Sequence, residues 1–260
     1  MSALLLAAAV GAAGAPPRGF LLDQITAGGE TLRYALYLPR EYTPSRRWPL
    51  LVALHGRGES GRDGLRQLAQ GVAQAIIASP ADWPVVAILP QKSEENREWE
   101  QSEAALLALV DTVRSRYAID PDRLYLTGLS QGGHGAWVLG ARHADVWAAV
   151  VPVCGYAAAR ARDAHGQPPR GAFNGSAADL APALARLPVW AFHGAADSIV
   201  PVAETERMIA AIRAAGGAPR STIFPGVDHG SWDPAYRDAA LPAWLLQQRR
   251  ARTAPQEVSQ

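Results

Sequence analysis

From Thr31 onward the chain repeats one pattern: a short, nearly uninterrupted apolar run, then a longer stretch with helical spacing. The runs are PLLVALHG (49–56), PVVAILP (84–90), DRLYLTG (122–128), WAAVVPVCG (147–155), PVWAFHG (188–194) and RSTIFPG (220–226). Strands written this way, without polar alternation, are strands covered on both faces of a sheet. TLRYALYLP (31–39) does alternate and predicts a half-buried antiparallel strand. Between the runs, the segment from Ser102 puts Leu106, Val110, Val113 and Tyr117 on one helical face. VAETERMIAAIRAAGG (202–217) ends on Gly216-Gly217, a helix stop. Repeated strand–helix–strand order gives an α/β fold, a mainly parallel sheet with helices on both faces.

No internal repeat or linker divides the 260 residues, so 19–248 reads as one domain. One long irregular stretch, 155–182, reads as an insertion that forms a small cap or loop. Net charge is +1 with acids and bases interspersed, which argues against a nucleic-acid surface. The densest basic run, at Arg249-Arg250-Ala251-Arg252, opens a polar stretch that reads as a disordered tail over 249–260. Cys154 is the one cysteine, so neither an internal disulfide nor a cysteine-based metal site is expected. It lies in an apolar run and reads as a small buried side chain.

Residues 1–18, MSALLLAAAVGAAGAPPR, resemble the end of a secretory signal, without its basic start. The apolar part is too short to span a bilayer, which takes about 20 residues. Export to the periplasm or outside the cell is the expectation, a cytoplasmic enzyme with an Ala-rich leader the rival, and stable membrane insertion is not expected.

The strand at 122–128 runs into GLSQG (128–132) and then helix-like sequence. In a chain with 24 glycines, G-x-S-x-G alone arises by chance in about one sequence in ten. Strand before and helix after is the context of a nucleophile elbow, in which a crowded turn lifts a serine above the sheet at a helix N-terminus. A serine needs a base, and the base an orienting acid, in the chain order Ser, Asp or Glu, His. Of His55, His134, His143, His165, His193 and His229, only His229 follows the last strand and leaves room for an earlier acid. Asp197, after the run 188–194, is the acid; Asp228 adjoins His229, and neighbouring side chains diverge. Glu204 and Glu206 fall in the next helix. The oxyanion needs backbone N–H donors from two places. Gln131, after the serine, and Arg57, in the loop HGRGESG (55–61), are the candidates. His55 reads as a loop-holding residue.

GLSQGGHGAW, VPVCGY, PVWAFHGAADSIVPVAET and GVDHGSWDPAYRD together resemble the dienelactone-hydrolase-like and prolyl-oligopeptidase-like branch of the α/β-hydrolases. They look most like esterases labelled phospholipase/carboxylesterase or feruloyl-esterase-like, from about Thr31 to Leu246. The resemblance implies the α/β-hydrolase fold, with Ser130 as nucleophile, Asp197 as orienting acid and His229 as base, and with no metal or organic cofactor. Gln131 and His134 stand where many relatives carry Met and Tyr, which implies an altered acyl preference. Trp99, Trp232 and Tyr156 are the aromatic candidates for lining a substrate cleft.

The expected activity is hydrolysis of small or aromatic carboxylic esters, with a small-molecule ester as partner. The rivals are a serine peptidase of the prolyl-oligopeptidase type and a non-catalytic binding protein. The chain leaves no room for the propeller that gates such peptidases, and no triad member is missing. Oligomeric state is not legible.

Overall fold

The computed structural model describes residues 17–162 and 165–250. The leader through residue 16 and the tail from 251 lie outside them.

Eight strands form one sheet: β1 (Gly19–Ala27), β2 (Glu30–Leu38), β3 (Trp48–Leu54), β4 (Val86–Gln91), β5 (Ile119–Leu129), β6 (Ala149–Val153), β7 (Trp190–Gly194) and β8 (Arg220–Phe224). The order is β1-β2-β4-β3-β5-β6-β7-β8. β1 and β2 are antiparallel to each other, β2 is antiparallel to β4, and every pairing from β4 to β8 is parallel. Among the described residues five α-helices lie between strands, α1 (Val72–Ala78), α2 (Glu103–Arg116), α3 (Gln131–Arg142), α4 (Ala177–Leu184) and α5 (Ala203–Ala214), and two follow β8, α6 (Trp232–Arg237) and α7 (Ala240–Gln247).

The apolar runs are explained by two cores, one on each face. Along β3, Leu50, Val52 and Leu54 point to one face, where they meet Leu106 and Leu109 of α2, Trp137 of α3 and Met208 of α5. Leu51 and Ala53 point to the other, against Val72 and Ile76 of α1, Tyr236 of α6 and Leu245 of α7. Successive residues of a strand alternate sides, so a strand with helices on both faces must be apolar at every position.

Three features depart from the sequence reading. β1 was not expected. It is an edge strand paired only to β2, and its exposed Leu22 breaks the alternation that marks a strand. Arg249 and Arg250 are not frayed: Arg250 N–H donates to the Asp122 carbonyl at 2.8 Å, and Arg249 lies 3.4 Å from the Asp120 carboxylate. The tail is thus fastened to the start of β5 before it leaves the described residues. Within 155–182, the described backbone is irregular up to Ser176, and α4 supplies the last turns.

Candidate active site

Ser130 stands alone between the end of β5 and the start of α3, with φ 53° and ψ −114°. L-residues rarely hold such a backbone, and the strain costs on the order of 1–3 kcal/mol. Crowding enforces it: a Cβ on Gly128 would lie 2.1 Å from the Gly132 carbonyl oxygen. One on Gly132 would lie 2.1 Å from the Leu54 carbonyl oxygen. Both flanking glycines therefore have a steric reason, and the strand-to-helix turn is as tight as the motif suggests.

Above that turn the loops after β7 and β8 meet. His229 Nε2 is 2.9 Å from Ser130 Oγ, and its Nδ1 is 2.8 Å from Asp197 Oδ2. The Asp197 carboxylate is shielded from water. Its Oδ1 accepts the N–H groups of Ile199 (2.9 Å) and Val200 (2.8 Å). An acceptor at Nδ1 fixes the His229 tautomer with hydrogen on Nδ1, leaving Nε2 to receive the serine proton.

Two further residues, which sequence order did not reveal, hold this arrangement. His193 Nε2 donates to the Val200 carbonyl at 2.8 Å and lies 3.2 Å from Asp197 Oδ2, while its Nδ1 accepts the Thr205 hydroxyl at 2.7 Å. Burial, above all, holds its pKa below the ordinary histidine range. Asp228 takes the N–H and hydroxyl of Ser198 (2.8 and 2.9 Å) and the N–H of His229 (2.8 Å). The spacing of His193 four residues before Asp197 was visible, but nothing in the sequence marked it as a contact.

Gln131 opens α3, so its N–H belongs to the first turn, whose amides have no intrahelical acceptor. Arg57 opens a single 3-10 turn, Arg57–Glu59, after β3. Both face the same cleft as Ser130. The exposed Arg57 guanidinium is bonded to Asn96 at 2.7 Å and lies 3.6 Å from the Glu95 carboxylate, which lines the same cleft. Beneath this turn His55 Nδ1–H donates to the Gly56 carbonyl at 2.5 Å, and its Nε2 accepts the N–H of Lys92 at 3.1 Å. Burial, then the nearby Lys92 ammonium, push His55 down to about 3, so it stays neutral. The buried Lys92 ammonium in turn donates to Ser60 at 2.7 Å, and burial holds its pKa down at about 8.

The cleft has a volume of about 430 Å³ and is walled by Tyr156, Arg160, Ile199 and Trp232 around Ser130 and His229. Trp232 meets the His229 ring edge-on at 5.4 Å. Trp99 is not a wall residue. It is fully buried, its indole N–H donates to the His55 carbonyl at 2.9 Å, and Gly135 of α3 packs against it. A large ring after a strand end can face either way, and this one closes the core under the 55–61 loop.

Among the described residues, one group has the ligand atoms to hold a metal ion, all within 4.8 Å: Cys154, Asp197 and His229. Two of these already bond to each other, and burial pushes the Cys154 thiol up to about 12, away from the thiolate that binds metals.

The sheet order and the serine turn define an α/β-hydrolase fold. The chain belongs to the prolyl oligopeptidase family, whose model matches residues 94–248. NocK of Nocardia uniformis subsp. tsuyamanensis, named as an esterase, is 30% identical over 141 residues, 51% of this chain and 40% of that protein. A crystal structure of a thermostable esterase superposes with a TM-score of 0.71 at 28% identity, covering 89% of this chain and 63% of that one. A feruloyl esterase module from Clostridium thermocellum, complexed with sinapinate, gives a TM-score of 0.63 over 90% of both chains. At 18% identity it shares the fold alone. The chain thus spans less than two thirds of the first two proteins. No described helix is long and apolar enough to cross a membrane.

Proposed function

We propose that this chain is a serine carboxylesterase acting on small or aromatic carboxylic esters. The observation that carries the reading is the unbroken hydrogen-bond chain Asp197–His229–Ser130, at 2.8 and 2.9 Å, opening onto a cleft. Ser130 Oγ attacks the ester carbonyl carbon while His229 Nε2 takes its proton. The Arg57 and Gln131 N–H groups receive the oxyanion; losing one such donor typically costs about 3 kcal/mol of transition-state stabilisation. As the C–O bond breaks, His229 returns the proton to the leaving alcohol. Water, deprotonated by the same nitrogen, then hydrolyses the acyl-enzyme.

Tyr156 and Trp232 on the cleft walls support aromatic groups as substrates, and the names of NocK and the thermostable esterase support ester hydrolysis in general. In the same reading, 19–248 acts as one domain, the insertion 155–182 walls the cleft, and the leader directs export.

The test is a panel of p-nitrophenyl acetate, butyrate and octanoate, methyl ferulate and a prolyl p-nitroanilide, with wild type and Ser130→Ala. Ester turnover that disappears with the substitution, together with fluorophosphonate labelling at Ser130, is the expected result. Anilide cleavage outpacing the esters would make the chain a peptidase. A chain that neither turns over the panel nor labels would be a binding protein.

A further inference from the structure

His134 lies one helical turn past Ser130 on α3 and is fully buried. Each ring nitrogen faces an acceptor: Nδ1 is 3.0 Å from the Tyr156 carbonyl, and Nε2 is 3.2 Å from Glu100 Oε1. A neutral imidazole has one N–H and can satisfy only one of them, whereas the imidazolium satisfies both. The ring also stacks on the Tyr156 ring, with centroids 4.7 Å apart and planes inclined by 15°.

Beside it is a second buried carboxylate, Glu98. It takes the Tyr156 hydroxyl at 3.2 Å and the backbone N–H groups of Arg160 and Ala161 at 2.9 and 2.8 Å. Glu100 Oε1 takes the N–H of Phe173 at 2.6 Å, while its Oε2 has no partner among the described residues. Three backbone N–H groups of the irregular loop after β6, those of Arg160, Ala161 and Phe173, therefore find their acceptors in two buried acids. Two buried carboxylates need compensating positive charge, and a buried acid deprived of its partner is strongly destabilising. Burial alone disfavours a charged His134, but the hydrogen bond and charge of Glu100 outweigh it and hold its pKa above the ordinary histidine range. The Glu100 carboxyl is conversely held below the usual range: burial opposes its charge, and His134 wins. Other charged or titratable groups around this cluster are Glu98 from the same turn, Tyr156 and Arg160 from the loop, and Lys92 at the end of β4, whose charge acts on Glu98.

We propose that His134 is a positioning residue for the ester site: held as an imidazolium between Glu100 and the Tyr156 carbonyl, it fixes the Tyr156–Ala161 wall against the nucleophile's helix and so sets how bulky an ester group the cleft holds. The kinetic half of this proposal rests on the esterase reading; the charge on the ring does not.

Nitrogen-15 NMR of the wild-type chain reads that charge without a substitution. Both ring nitrogens of His134 protonated at neutral pH is the expected spectrum, and a neutral ring overturns the proposal. In steady-state kinetics, His134→Phe keeps a stacking ring and loses the charge. Its KM for p-nitrophenyl benzoate should rise about five- to tenfold, more than its kcat on p-nitrophenyl acetate falls. Equal losses in kcat on both esters at unchanged KM overturn the proposal. Should that variant not fold, Tyr156→Phe, which frees the ring from Glu98 while keeping its shape, must show the same KM-weighted pattern. A wild-type chain that turns over neither ester nor the panel above and does not label with fluorophosphonate would sink the esterase reading, and the NMR spectrum would still decide the charge on His134.

Discussion

The Asp228 carboxylate accepts both the backbone N–H and the hydroxyl of Ser198, joining the loop that carries Asp197 to the loop that carries His229. Its pKa lies below the usual carboxylate range, chiefly because the Ser198 N–H bonds to it. Among the described residues Asp228 bonds to Ser198 and to the His229 N–H and not to Ser130, so its effect is on geometry. Asp228→Asn loses the anionic acceptor and loosens the spacing between His229 and Asp197. We expect kcat on p-nitrophenyl butyrate to fall about tenfold with KM nearly unchanged. Ser198→Ala removes the hydroxyl contacts to Asp228, at 2.9 and 3.2 Å, but keeps the backbone N–H bond, and should produce a smaller loss in the same direction. A KM effect without a kcat effect would place Asp228 in substrate binding instead.

The glycines near the serine divide sharply. A Cβ on Gly132 would lie 2.1 Å from the Leu54 oxygen and 2.7 Å from the His55 oxygen, both backbone atoms at the base of the 55–61 loop. Gly132→Ala must therefore move β3 or α3, with a loss of about 3 kcal/mol or more. A Cβ on Gly230, next to His229, meets nothing within 4 Å. Gly230→Ala should stay within about 0.5 kcal/mol of wild type. Urea midpoints of the two variants test the contrast.

What the sequence disclosed, and what it hid, follows from how far apart the interacting residues lie. Continuous apolar runs revealed the central strands because helices cover both faces. The order Ser130, Asp197, His229 revealed three residues that meet because parallel strands deliver their ends to one edge of the sheet. β1 stays hidden because its exposed Leu22, Asp23 and Gln24 break both an apolar run and an alternation, whereas the other edge strand, β8, is still marked by Ile223 and Phe224. Trp99 was misread because its indole turns into the core to reach the His55 carbonyl. Asp228 is not legible as a site residue because its contact is with Ser198, thirty residues away, rather than with the ring of the adjacent His229. The pins at Glu98 and Glu100 reach backbone N–H groups 62 to 73 residues on, and backbone groups leave no trace in a sequence.

The loop after β3, which carries His55 and Arg57, should be sensitive to acid. His55 is neutral in the fold, with its pKa pushed down to about 3 by burial and then by Lys92. In the unfolded chain it titrates near the ordinary value of about 6.5. Between those values the unfolded chain binds a proton that the native chain does not, so stability falls as pH drops from about 6.5 towards about 3. The contribution is at most about 1.4 kcal/mol per pH unit. Unfolding free energies of wild type and His55→Gln, measured from pH 7 down to 4, should show a shallower slope in the variant. Equal slopes would mean that His55 takes up its proton within the fold.

Ser130 offers a separation of strain from chemistry. Its φ of 53° strains any residue with a Cβ, so Ser130→Ala keeps the strain and loses only the hydroxyl, whereas Ser130→Gly loses both. Both variants should be inactive, and both lose the same bond to His229. The difference in stability between them therefore isolates the backbone. Strain of about 1–3 kcal/mol is released in the glycine variant, against an entropic cost of about 0.5–1 kcal/mol. Ser130→Gly should thus be about 1 kcal/mol more stable than Ser130→Ala, raising Tm by about 2–4 °C in a domain of this size. Calorimetry of the pair decides it. A glycine variant that melts at or below the alanine variant would mean that the surrounding contacts, rather than the turn at Ser130, absorb the strain.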